Sequence, residues 1–280
     1  MNKFQKCILY LACTTIPFLS FAQQKSCCST QAFASLGDNQ GFISAHAAPE
    51  PINFRASKGS DVAFDTPDGK KGKGFLVPAS EKSSKYLLVF HEWWGLNDYI
   101  RQEAEKYATD FPGINILALD LYDGKNTASA DEAAKLMQKT DAARCESIIR
   151  GALAFAGKDA SVQTVGWCFG GGWSLQASII AGNQSKGCVI YYGMPENDQK
   201  KLQQLAAPVL GIFASQDGWI NKNIVDGFIS SMNTAGKQLD VKWFNADHAF
   251  ANPSNPKFNQ VAAGDARRHT LAFIRGNFGE

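Results

Sequence analysis

"QTVGWCFGGGW", residues Gln163 to Trp173, decides how the chain is read. An apolar run from Val162 to Trp167 ends in one cysteine, and after Phe169 come three consecutive glycines, Gly170 to Gly172. Gly166, Cys168 and Gly170 fit the pattern G-x-nucleophile-x-G, with cysteine where serine is usual. A nucleophile on a sharp, strained strand-to-helix turn needs small residues two positions before and after it, so that strand and helix can pass closely. The turn lifts the side chain above the sheet. It also aims the next backbone N–H, here that of Phe169, and the helix N-terminus at the reacting centre. The alternative is an inert buried cysteine in a glycine-rich turn, so the pentapeptide needs partners before it carries a function.

Partners lie downstream in the order nucleophile, acid, base that such a turn calls for. The run "PVLGIFA" (208–214) leads into "SQDGWI", which puts Asp217 in the loop after a strand. The run "LDVKWF" (239–244) leads into "NADHAF", which puts His248 in the next such loop. Both are carboxyl ends of consecutive strands, where sites form in open parallel sheets. Asp217 would orient and polarise His248, which takes the thiol proton. Asp-Gly at 217–218 is also an ordinary turn, and Asp247 is a rival acid, although adjacent side chains seldom align for that bond. Three residues in order at three strand ends single out Cys168, Asp217 and His248 as the catalytic set.

"HEWWGL" (91–96) follows the strand "YLLVF", where this arrangement supplies a second oxyanion N–H, expected from Trp93. It is not a zincin helix, because Gly95 follows and no second histidine does. Glu92 is either a surface acid at a strand end or a carboxylate set close to the thiol. His91 supports the loop. His46 and His269 have nothing in their surroundings to recommend them.

Around these motifs, short apolar runs recur at 62–64, 73–78, 86–92, 114–122, 162–167, 188–193, 208–214 and 239–244. Helical patterns alternate with the later ones: "YIRQEAEKYATDF", a region from "ADEAAKLMQK" that runs with a break to about Ala156, "KNIVDGFISSMNTAGK" and the closing "QVAAGDARRHTLAFIRGNF". Near-continuous apolar strands alternating with helices predict an α/β fold: a mostly parallel sheet with helices on both faces, three layers α/β/α. The first two runs, joined by "PDGKKGKG", predict an antiparallel hairpin at one edge. One domain is expected over residues 57–280.

The 280 residues are 45% apolar and 19% charged, with a net charge of +2 and no Lys/Arg block, so nucleic acid is not an expected partner. "MNKFQKCILYLACTTIPFLSFAQQ" carries two lysines, an apolar segment and a small-x-small end, which predicts a signal peptide over 1–22 cut after Ala22. The apolar part is too short and broken to span a membrane. The mature protein is therefore expected to be secreted or periplasmic. Residues 23–56, rich in Ser, Ala, Gln, Gly and Pro, read as an N-terminal extension or linker. Of seven cysteines, Cys27, Cys28, Cys145, Cys168 and Cys188 survive the cut, an odd number with no CxxC. No metal cluster, phosphate loop or dinucleotide fingerprint is legible, so neither metal nor cofactor is expected.

At "HEWWGL", "ALDLYDG", "GWCFGG", "YYG", "SQDGWI" and "DHAF", in that order, the chain resembles the dienelactone hydrolase family of α/β hydrolases over about Ser60 to Glu280. The resemblance implies the triad Cys168, Asp217 and His248, oxyanion donors from Phe169 and Trp93, and a hydrogen bond from Glu92 to the resting thiol. It also implies a thiol kept neutral until substrate displaces that carboxylate. Members acting on dienelactone anchor its carboxylate with two arginines. At those positions this chain has Asp123-Gly124 and Asn252. Lys125 offers only a mobile point charge in their place. Trp93, Trp94, Trp219 and Phe250, with Tyr122, suggest an aromatic-walled pocket. The reading is an exported hydrolase of small esters, lactones or thioesters through an acyl-thioenzyme, with a monomer favoured over an oligomer but the oligomeric state left open by the sequence. Its alternatives are a true dienelactone hydrolase, and a non-catalytic binding or redox-sensing module, which the retained acid, base and oxyanion loop argue against.

Overall fold

The computed structural model describes residues 29–279; the expected signal peptide and Cys27 and Cys28 lie outside the described residues. Eight strands form one sheet: β1 Ser60–Asp65, β2 Lys71–Val77, β3 Lys85–Phe90, β4 Asn115–Asp120, β5 Ser161–Trp167, β6 Ser185–Tyr191, β7 Val209–Ala214 and β8 Leu239–Phe244. Their order is β1-β2-β4-β3-β5-β6-β7-β8. β1 pairs antiparallel with β2, and β2 with β4, while every other pair is parallel. The hairpin thus sits at one edge, as expected.

Register explains the near-continuous apolar runs. Ala118, Val89, Val165, Val189 and Leu210 lie side by side across five neighbouring strands. All five are buried, because helices cover both faces there. Edge strand β8 has no fully buried residue.

The helices are α1 Ser29–Ala34, α2 Gln40–Ser44, α3 Asp98–Asp110, α4 Ala130–Gln138, α5 Ala142–Ala156, α6 Phe169–Ala181, α7 Gln199–Leu202, α8 Lys222–Thr234 and α9 Gln260–Phe278. Asn97, Ser129, Asp141, Asn221 and Asn259 cap five of them by accepting a backbone N–H. The Asp141 cap restarts the helix after α4, which is the break read in the sequence. No helix among the described residues is long and apolar enough to cross a membrane.

The segment read as an extension departs from expectation. From residue 29 it folds as α1, a 3-10 turn at Ser35–Asp38 and α2, and it buries Phe33 and Phe42 in the core of the domain. Ser29 hydrogen-bonds Glu196 (3.3 Å) and Gln176 (3.1 Å). Helices of six and five residues are too short to print a 3.6-residue apolar pattern, so tertiary packing holds them.

Candidate active site

Cys168 occupies the single residue between β5 and α6, at φ 56° and ψ −119°, a conformation L-residues avoid. The flanking glycines are a steric requirement. A Cβ on Gly166 would strike the Gly170 carbonyl, and one on Gly170 would strike the carbonyls of Phe90 and His91. The elbow therefore presses α6 against β3 and β5, and it brings Cys168 beside the loop after β3.

Asp217 and His248 arrive from the loops after β7 and β8. His248 Nδ1 lies 2.6 Å from Asp217 Oδ2, and Nε2 lies 3.4 Å from Cys168 Sγ. Asp217 Oδ1 accepts the backbone N–H groups of Trp219 (2.8 Å) and Ile220 (2.9 Å). Burial alone would raise the Asp217 pKa, but His248 and these hydrogen bonds hold it below the usual carboxylate value. An ionised Asp217 makes Nδ1 the protonated nitrogen, so Nε2 keeps its lone pair for the thiol proton. Asp247, the rival acid, pairs instead with Lys257 at 3.1 Å.

The thiol is 1% exposed. Burial, and next the charge of Glu92, push its pKa well above the ordinary value, against the pull of the Phe169 and Trp93 backbone N–H groups beside Sγ. Burial thus favours the neutral thiol at Cys168, with the Phe169 and Trp93 backbone N–H groups, the two expected oxyanion donors, next to it. The Glu92 bond to the thiol that the resemblance implied is not made. Glu92 Oε2 instead accepts from Asn252 Nδ2, and Oε1 has no partner. Burial raises the Glu92 pKa to about 7, against the lowering effects of His248 and Asn252.

The remaining expected residues divide. Trp94 and Asn252 line a cavity of about 320 Å³, together with Glu92, Tyr191 and Tyr192. Cys168 and His248 do not line it, whereas Tyr192, whose ring lies 5.1 Å from that of His248, does. Trp93 is fully buried beside Trp94 (4.9 Å between centroids). Tyr122 packs under the elbow against His91 (4.9 Å) and Phe169 (5.4 Å). Trp219 meets the His248 ring edge-on at 5.6 Å. Phe250 is core, packed on Tyr192 and Phe244, and Lys125 is exposed and outside the cavity wall. His91 supports the loop as expected. Its Nδ1 donates to the Glu92 carbonyl (2.6 Å), and its Nε2 accepts from Leu121 N–H (3.1 Å).

Sequence reasoning missed His46 and Phe42. Phe42 lies 5.9 Å from the His248 ring and His46 5.4 Å from it, so the α2 segment closes over the triad. Beneath these contacts Cys168 is 1% exposed. The sequence held no spacing signal for either residue, because the contact spans some two hundred positions.

The "Dienelactone hydrolase family" model matches residues 73–278. The chain is 25% identical over 230 residues to "Protein usf" of Aquifex pyrophilus, covering 78% of this chain and 98% of that one. It is 22% identical over 221 residues to "Carboxymethylenebutenolidase" of Pseudomonas sp. (strain P51), covering 74% and 90%. A solved dienelactone hydrolase-like promiscuous phosphotriesterase from metagenomic libraries superposes with a TM-score of 0.67 at 20% identity, covering 78% of this chain and 99% of that one. That likeness extends to the fold.

Proposed function

Because the chain belongs to the dienelactone hydrolase family and is a hydrolase, we propose that it cleaves small neutral esters, lactones or thioesters through an acyl-thioenzyme on Cys168. The observation that carries this is the unbroken relay from Cys168 Sγ through His248 to Asp217. As Sγ attacks the carbonyl carbon, its proton passes to His248 Nε2. The oxyanion forms against the Phe169 and Trp93 N–H groups. The intermediate collapses, and His248 returns the proton to the leaving group. Water, activated by the same nitrogen, then releases the acid and the thiol. Asp217 holds the imidazole in the required tautomer throughout.

Preference for an uncharged substrate follows from charge. An anionic lactone would find Asp123 and Asn252 where the family's arginines stand. Asp123 is already paired with Arg144 (2.6 Å), and Asn252 is held by Glu92. Asn252→Arg should raise kcat/KM for dienelactone relative to a short neutral aryl ester by about tenfold, the scale of a charge-assisted bidentate contact. An unchanged ratio would refute the pocket argument. In the unaltered enzyme the neutral ester is expected to be the faster substrate, and faster dienelactone turnover would overturn that preference.

We also place the enzyme outside the cytoplasm, on the strength of residues 1–22. N-terminal sequencing of the protein recovered from the periplasmic fraction should begin at Gln23. An intact Met1 would reject export.

A further inference from the structure

His46 is buried beside the catalytic pair yet has no part in the relay. Its Nδ1 donates to the Phe42 carbonyl at 2.6 Å, and its Nε2 has no hydrogen-bond partner. One donor atom each from His46, Cys168 and His248 lie within 4.8 Å of one another, all three residues buried. We propose that these three side chains form a binding site for a thiophilic divalent cation, Zn²⁺ above all, which silences the hydrolase by occupying nucleophile and base together. The silencing rests on the function proposed above; the binding site does not.

The donor set suits the ion. Zinc takes thiolate and imidazole ligands at about 2.3 Å and 2.0–2.1 Å in a tetrahedron. That geometry puts ligand atoms roughly 3.3–3.6 Å apart. Cys168 Sγ and His248 Nε2, at 3.4 Å, already stand at that separation. His46, within 4.8 Å of the other two, has to close in by at most about 1.5 Å, and it sits just past the short helix α2.

The outer contacts are also those of a metal site. A ligating histidine characteristically donates its other ring N–H to a carboxylate or a backbone carbonyl. His248 does so to Asp217, and His46 does so to Phe42. With Nδ1 donating to the Phe42 carbonyl, the lone pair of the neutral His46 ring lies on the unpartnered Nε2. Zn²⁺ would take the electron pair of the Cys168 thiolate, and the thiol proton would leave to solvent. The net charge this adds is faced by ionised Asp217 behind His248, and by Glu92. A fourth position is left for water. Sequence spacing hid the site, because its ligands come from three distant segments.

Co²⁺ added anaerobically to the mature full-length chain should give a thiolate-to-cobalt charge-transfer band saturating at one ion per chain. Zn²⁺ should abolish that band, and ester hydrolysis should fall in step with zinc occupancy. X-ray absorption at the zinc edge should show one sulfur and two imidazoles. Cys168→Ala should remove the band. His46→Asn keeps a donor for the Phe42 carbonyl but lacks Nε2. It should weaken zinc binding at least tenfold, since even outer-shell partners of a metal are worth about 10–100-fold in affinity. Binding without a sulfur ligand, a single imidazole in the absorption spectrum, or undiminished affinity in His46→Asn would each overturn the proposal. The cobalt band and the absorption spectrum decide it on the unmodified protein, even if no ester proves to be a substrate.

Discussion

Cys168→Ala is expected to lower kcat/KM on a short neutral aryl ester by at least ~10³-fold, on the scale of losing a covalent nucleophile. That corresponds to about 4 kcal/mol of transition-state stabilisation. The substitution deletes Sγ and leaves the rest of the site standing. The Phe169 and Trp93 N–H groups, the His248–Asp217 pair and the cavity all persist, so the residual rate reports what oxyanion stabilisation and binding supply alone. The fold should tolerate the change, because alanine keeps the Cβ already present at φ 56°. A rate within tenfold of the unaltered enzyme would reject the acyl-thioenzyme. Thiol alkylation, by contrast, is a weak discriminator here. A neutral thiol that is 1% exposed should alkylate slowly in the resting enzyme, whether or not it is the nucleophile. Burial masks the thiol in both cases, so turnover is the decisive readout.

The parts of this molecule that were legible in the sequence share a physical cause. β3 to β7 are buried on both faces, and that writes continuous apolar runs into the chain. The elbow writes its glycines because a Cβ at Gly166 or Gly170 has nowhere to go. Asp217 and His248 follow because parallel strands deliver their loops to one edge of the sheet. The illegible parts depend on contacts between distant segments. Phe42, in a helix too short to show a period, and His46, just past it, pack beside His248 some two hundred positions away. Glu92 was placed near the thiol by resemblance, but its choice of Asn252 as partner is a matter of side-chain reach. Phe250 is expected from the sequence as part of an aromatic pocket wall. It is instead buried among Tyr192 and Phe244.

Glu92 and His46 should nearly cancel in the pH dependence of stability, and removing either should expose the other. The Glu92 pKa rises from 4.5 to about 7 on folding, chiefly by desolvation. The folded state therefore holds a proton that the unfolded state has released between those values. Its contribution is full below pH 4.5 and is lost as pH rises through 7. His46 moves the other way, from 6.5 to about 4, also chiefly by desolvation. Here the unfolded state holds the extra proton, so the contribution is full above pH 6.5 and is lost as pH falls towards 4. Each shift is worth about 3 kcal/mol across its window. The two windows overlap with opposite sign.

Urea unfolding at pH 4.5 and pH 7.5 checks this in three proteins. Relative to the unaltered chain, Glu92→Gln should gain up to about 3 kcal/mol of stability between the two pH values, because only the His46 slope remains. The introduced side-chain amide keeps an oxygen to accept from Asn252, so the contact itself is preserved. His46→Asn should lose a similar amount over the same interval, because the Glu92 slope is then unopposed. Other titrating groups, Asp217 among them, are common to all three proteins and drop out of the difference. Parallel stability curves in the three would mean that neither group is held in the protonation state its burial dictates. A shift in Glu92→Gln alone would place water at His46, and with it an α2 segment that stands open over the triad in solution.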